Sequence, residues 1–345
     1  MKQVNISQAH IKQGSIKQVS DIRADNIPDW LFGEEQPIVL KNFGESWPLV
    51  QAGADSEQKA ADYLLSFYNG RPVNACHLPA QENGRVFYNE TIDGFNFQPA
   101  RVPLQQVLAY LLSKQEEKPT GMYVGSTEVE SYFPGFKAAH ASALDALSPL
   151  TSLWIGNKSR VAAHYDFPHN IACAMIGKRR FTLFPPEQVV NLYPGPMEFA
   201  PGGQDVSMVD FADPDFEQFP NFKVALEHAQ VAELEAGDAV FIPSMWWHHV
   251  EALSSFSVLL THWWRDTPAY MGRPNNALLT AMLSLRNLPK AQRKAWQAIF
   301  NHYIFEHDND DFAYLPDHAK GMLATPMDEL TARRIRAELL EKLKR

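Results

Sequence analysis

The chain has 345 residues, 45% hydrophobic and 21% charged, the balance of a folded globular protein with a sizeable core. A formal net charge of −9 argues against a general nucleic-acid binder, because neutralising phosphates needs concentrated Lys and Arg. Met1 to Ser15 is polar and no run of about 18 apolar residues occurs, so neither a secretory signal nor a membrane span is expected. Cys76 and Cys173 stand too far apart for a disulfide framework, and a cytoplasmic protein with buried thiols fits these features.

The first third mixes short strands with helices. Pro37-Ile38-Val39-Leu40-Lys41 reads as a strand, and Trp47-Pro48 breaks the chain after it. Asp55-Ser56 offers a cap to a helix carrying Ala60, Tyr63, Leu64 and Phe67 at helical spacing. A second helix is predicted from Pro103 through Val107, Leu108, Leu111 and Leu112. From about Met122 to Trp264 the pattern changes to short strands, such as Leu153 to Asn157, Ile171 to Ile176, Phe181 to Phe184, Val240 to Ile242 and Phe256 to Leu260. Gly177-Lys178 and Gly237-Asp238 supply turns between them. Many short strands with loops of uneven length suggest a jelly roll. Tyr193 to Asn221, rich in Pro and Gly, reads as a long insertion over one face.

After Arg273 the chain turns helical. Leu278, Met282 and Leu285 share one face, and Trp296, Phe300, Tyr303 and Ile304 another. Thr325-Pro326 is expected to start a last helix in which Ile335, Leu339 and Leu343 recur every fourth residue. Amphipathic helices after a closed β-domain need a surface to cover, either the protein's own core or a second copy of the chain. The expected organisation is an α/β segment over 1–120, a β-domain over 121–272 and a helical region over 273–345.

The chemistry centres on His164-Tyr165-Asp166. Residues two apart on a strand project to the same face, so His164 and Asp166 can reach one metal ion together. A third ligand is sought in Trp246-Trp247-His248-His249, which follows Gly237-Asp238-Ala239-Val240-Phe241-Ile242-Pro243, a strand that ends in a turn at the mouth of the barrel. Two imidazoles and one carboxylate on one face of an octahedral ion leave three positions open, the facial triad of non-haem iron oxygenases. A His-x-Asp pair alone is more often a solvated surface pair; the distal histidine in its strand setting turns the balance towards a metal site.

From about Tyr123 to Trp264 the chain resembles the Jumonji-C oxygenases of the cupin-8 type, and within them the branch of the asparaginyl hydroxylases that act on the hypoxia-inducible factor. The match is carried by Ala163-His164-Tyr165-Asp166 with Asn170 behind it, Phe184-Pro185-Pro186-Glu187-Gln188, Leu192-Tyr193-Pro194, Phe219-Pro220-Asn221-Phe222 and Pro243-Ser244-Met245-Trp246-Trp247-His248-His249-Val250-Glu251. The resemblance implies a mainly β fold with added helices, in which a double-stranded β-helix core of the cupin or jelly-roll kind follows the N-terminal α/β segment. It implies that His164, Asp166 and His248 bind Fe(II), with His249 structural. It also implies 2-oxoglutarate as co-substrate, decarboxylated to succinate as a substrate is hydroxylated. In relatives the C-terminal helices form a homodimer.

Tyr123 sits where the family has a tyrosine that hydrogen-bonds the distal carboxylate of 2-oxoglutarate, and Asn170 matches an asparagine near its other end. Arg179 stands where the family usually places a lysine. It shares a strand face with Phe181 and Leu183, and a cation on an inward apolar face needs an anion, which a bound dicarboxylate would be. The plainer reading is a strand-end arginine, and Lys178 could take the role only through a one-residue slip of register. Thr261 stands near another family asparagine, and Val161 replaces a hydroxyl residue that touches the co-substrate. Trp263, with Trp246 and Trp247, is a candidate for the mouth of the barrel, although packing is the commoner role of such residues. The primary substrate is not legible; a protein or a small molecule fits the acidic balance better than RNA. The alternative reading is a cupin that binds a metal or ligand without catalysis.

Overall fold

In the computed structural model the residues described are 16–113, 120–203, 205–268, 270–308 and 311–344, so the reading of Met1 to Ser15 lies outside them. The chain divides into two compact units, residues 1–265 and 266–345. No helix is long and apolar enough to cross a membrane among the described residues.

The first unit holds all the strands described. Before the candidate site come β1 (Lys17–Val19), β2 (Ile38–Leu40), β3 (Val73–Leu78), β4 (Arg85–Val86), β5 (Gln98–Val102), β6 (Gly121–Glu128) and β7 (Leu150–Gly156). The site itself is built on β8 (Arg160–Tyr165), β9 (His169–Ile176), β10 (Arg179–Phe184), β11 (Gln230–Leu234), β12 (Ala239–Ile242), β13 (Trp247–Ala252) and β14 (Ser257–Trp264). They form a nine-stranded sheet in the order β1-β2-β12-β9-β14-β7-β6-β3-β5 and a five-stranded sheet in the order β11-β10-β13-β8-β4. The β-rich jelly-roll core with added helices is thus present, but the expected closed barrel is not: two separate sheets replace it. The strands of the N-terminal segment do not form a layer of their own. β1, β2, β3 and β5 extend the larger sheet and β4 edges the smaller one beside β8, with an ion pair from Lys41 to Asp238 tying β2 to the turn before β12.

Alternation along the strands sorts side chains into layers. On β9, Ile171, Cys173 and Met175 face outwards and join a cluster with Leu49, Leu64 and Leu108. Those three come from helices Pro48–Asp55, Glu57–Phe67 and Leu104–Leu112. Ser56 caps the middle helix, its side chain accepting from the Lys59 amide. Trp47-Pro48, expected as a break, is itself a helix start, with Pro48 in the first turn where its missing N–H costs nothing. Between the sheets, Ala172, Ala174, Phe181, Leu183, Val240, Ile242, Val250 and Leu259 form the interior cluster. The insertion after β10 folds over the outer face of the smaller sheet, where Leu192, Val209, Phe211 and Phe222 pack with Phe184 and Trp247.

The second unit contains helices Pro274–Leu285, Lys290–Phe300 and Glu329–Lys342. The last begins at Glu329, not at Thr325-Pro326, because the Asp328 side chain accepts from the Thr331 amide and supplies the cap.

Candidate metal centre

His164 lies on β8, Asp166 one residue beyond its end, and His248 on β13 directly across from His164. Their ligand atoms all fall within 4.8 Å of one another. The two rings sit 4.3 Å apart, and His248 Nε2 is 3.6 Å from an Asp166 oxygen. A register irregularity creates this arrangement. His248 pairs with His164 and Val250 with Val161, so two steps on β13 span three on β8. The extra β8 residue is a bulge, and it lets Val161 and His164 both face the interior, which strict alternation would forbid. Ala162 and Ala163 are left in clusters outside it.

Each imidazole is held from behind. His164 Nδ1 lies 2.9 Å from the Ala162 carbonyl and His248 Nδ1 lies 3.0 Å from that of Trp246. A carbonyl only accepts, so each Nδ1 carries the proton and each Nε2 lone pair is left for an ion. Burial, reinforced by the neighbouring His248, pushes the His164 pKa down to about 4 against the pull of Asp166, so its ring is neutral at neutral pH. Burial raises the Asp166 carboxyl, but His248 and then His164 more than offset this and hold it below the ordinary carboxylate value. A carboxylate and two pre-oriented imidazoles suit a divalent transition metal, and the donor set fits Fe(II). Met245, in the left-handed region at φ 69°, fixes the chain beside the site by donating its amide to the Asp166 carbonyl at 2.8 Å.

His249 points the other way, its ring tilted against Phe211 of the outer cluster at 4.6 Å, where burial holds its pKa at about 3. Trp247 is also packed on that outer face, against Tyr165. Trp246 is buried, donates to the Glu35 carbonyl at 3.0 Å and lines a cleft with His169, Pro186 and Ser244. Of the three tryptophans proposed for the mouth, only Trp263 stands beside the metal ligands. Its indole nitrogen lies near enough to Asp166 to lower that carboxyl, yet closes no hydrogen bond.

The residues implied for the co-substrate converge on the same interior. Arg179, 2% exposed, crosses from the smaller sheet to the larger and donates from Nη2 to Ser257 Oγ at 3.1 Å. Its Nε is buried without a partner, and among the described residues no carboxylate pairs with it. Burial lowers its pKa to about 10, so it remains a cation. Lys178 is exposed and paired with Glu235 at 2.7 Å, so the register has not slipped. Tyr123 is buried, stacked 6.2 Å from Trp154, and burial raises its hydroxyl pKa while the Arg179 charge opposes the rise. Asn170 is buried with its Oδ1 unpartnered. Thr261 behaves differently: its hydroxyl accepts from Trp154 Nε1 at 3.0 Å and donates to the Ser152 carbonyl at 3.3 Å, so it orients Trp154. Val161 joins Tyr123 and Trp154 in an apolar wall. Ser257 and the bulge in β8 had no signal in the sequence pattern.

Two facing sheets with a two-histidine, one-carboxylate cluster between them define a cupin-type metal-site protein. A model described as a cupin-like domain matches residues 24–270, and the chain belongs to this family, the cupin-8 or JmjC-type domain, whose members include Fe(II)- and 2-oxoglutarate-dependent oxygenases. Among its relatives is lysine-specific demethylase JMJ31 of Arabidopsis thaliana, 34% identical over 126 residues, 36% of this chain and 22% of that protein. Human HSPB1-associated protein 1 is 29% identical over 150 residues, 42% of this chain and 30% of the relative. The chicken (Gallus gallus) tRNA wybutosine-synthesizing protein 5 is 36% identical over 106 residues, 31% and 30% of the two chains. The matched segments therefore span less than a third of these relatives.

Proposed function

We propose that this protein is an Fe(II)- and 2-oxoglutarate-dependent hydroxylase. One observation carries the reading: a facial His-Asp-His set and a buried arginine without a carboxylate partner share one interior. An isolated buried cation is costly, and a dicarboxylate drawn to the metal end would relieve that cost. When bound, Fe(II) supplies redox chemistry that couples oxidative decarboxylation of the 2-oxo acid to oxidation of a substrate C–H bond.

The chain's own residues bind and orient. His164, Asp166 and His248 hold the ion, and Arg179 with the Tyr123 hydroxyl receives the far carboxylate. Asn170, buried with its Oδ1 unpartnered, would offer its NH2 group to the near end of the co-substrate, and the apolar wall of Val161, Tyr123 and Trp154 keeps water out. The relatives' names point to both protein and RNA; the net charge of −9 favours a protein or small-molecule substrate here. Two free thiols suit the reducing cytoplasm. The C-terminal helices suit a homodimer.

Anaerobic titration of the Fe(II)-loaded protein with 2-oxoglutarate, followed at the visible charge-transfer band of the chelate, tests the proposal. A saturable band that disappears in His164→Ala and weakens by tenfold or more in affinity in Arg179→Ala is expected. Confirmed metal binding with no band would refute it in favour of a cupin that binds metal without this chemistry, a reading Val161 favours because it lacks the family's hydroxyl.

A further inference from the structure

We propose that Ser257 is a positioning residue that aims Arg179 at the far carboxylate of the 2-oxo acid and so sets the preference for dicarboxylic over monocarboxylic co-substrates. The inference rests on the proposed role of the pocket in binding 2-oxoglutarate. Arg179 enters the interior as the first residue of β10 and reaches across to β14. There its Nη2 donates to Ser257 Oγ at 3.1 Å, while Ser257 Oγ donates to the Gly156 carbonyl, also at 3.1 Å. A serine hydroxyl has one hydrogen. With that hydrogen committed to Gly156, an oxygen lone pair is turned to the guanidinium, and the direction of the relay is fixed.

Burial makes the relay effective. Ser257 is 0% exposed and Arg179 2%, so no bulk water competes for the bond. An arginine side chain is long and flexible, and its planar fork grips a carboxylate well only when the plane is fixed. Ser257 fixes one edge and leaves the buried, unpartnered Nε available to an incoming anion.

Gly156 joins this relay to Tyr123. It pairs with Ser257 on one side, between β7 and β14, and with Tyr123 on the other, between β7 and β6. A Cβ at Gly156 would lie 2.5 Å from the Met122 carbonyl oxygen and 3.3 Å from Tyr123 Cα, so the two strands approach as only glycine allows. Ser257, Gly156 and Tyr123 thus form one row across three strands, which places the anchor of Arg179 in register with the tyrosine proposed for the same carboxylate.

The test is calorimetric, under anaerobic conditions on the metal-loaded full chain, with 2-oxoglutarate and with 2-oxopentanoate, which has the same chain length but no far carboxylate. In Ser257→Ala, 2-oxoglutarate affinity is expected to fall about tenfold, the scale of a hydrogen bond to a charged group. Affinity for 2-oxopentanoate should not change. In an Arg179→Met background, Ser257→Ala should cost nothing more, because its effect runs through the guanidinium. Parallel losses for both acids, or an undiminished loss in the Arg179→Met background, would show a merely structural serine and overturn the proposal. Wild-type affinity in Ser257→Ala would overturn the positioning role while leaving the pocket reading intact. Failure of the wild type to bind either acid would remove both.

Discussion

Arg179 brings the energetics of the site to a single side chain. It is buried with one hydrogen bond to Ser257 and no carboxylate partner among the described residues, so the protein without co-substrate bears an uncompensated charge. Replacing it by an apolar chain of similar length removes that cost. Arg179→Met is therefore expected to raise stability in the absence of 2-oxoglutarate, on the scale of the about 1–4 kcal/mol seen when buried ion pairs give way to packed apolar groups. A urea midpoint lower than that of the wild type would contradict this. At this scale the sequence was informative where chemistry depends on residue type: His164, Asp166 and His248 were recognisable from motif and strand setting, and the structure gathers them. Ser257 was not, because a serine on a strand carries no mark of the arginine it meets across the sheet from 78 positions away.

Between the strands, one turn and one bulge decide what faces the interior. The expected strands over Phe181 to Phe184 and Val240 to Ile242 are present, since apolar runs bounded by turn residues leave few alternatives. The β8 bulge was illegible: the segment reads as uninterrupted strand, and only the cross-strand partner shows that one residue is extra. The turn before Arg179 is the more testable feature. Gly177 sits at φ 71°, and a Cβ there would meet the Phe256 carbonyl oxygen at 2.7 Å and Ser254 Cβ at 2.8 Å. Gly177→Ala thus incurs the left-handed penalty of about 1–2 kcal/mol, with a backbone collision in addition. Gly203, at φ 83° but with nothing within 4 Å of a new Cβ, is the control that isolates the conformational cost. Urea unfolding should show a larger loss for Gly177→Ala than for Gly203→Ala. Equal losses would mean that the strand end yields, and that Arg179 is not rigidly presented.

For the whole molecule, the helical unit poses a burial problem that the β-unit does not. Hydrophobic clusters account for the interior and both outer faces of the first unit, whereas no cluster contains a residue beyond Trp264 among the described residues. Leu283 is 77% exposed and Phe305 72%, and Leu279, Trp296, Ile304, Leu330 and Leu340 are also exposed. Single exposed apolar residues are ordinary, but this many within one helical unit make the surface that the proposed homodimer would cover. A second copy satisfies it most simply, because a two-fold contact sets the same apolar faces against each other and needs no other partner. The amphipathic pattern of these helices was readable in the sequence; what covers their faces was not, since periodicity gives a face but not its occupant. Light scattering of the full chain should give roughly twice 39.0 kDa, and Leu283→Glu combined with Phe305→Glu should return it to the monomer mass. Because His164, Asp166 and His248 all belong to the first unit, that variant should keep its metal affinity. A wild-type monomer across micromolar concentrations would rule the homodimer out, and a dimer unaffected by both charges would place its interface away from these two residues.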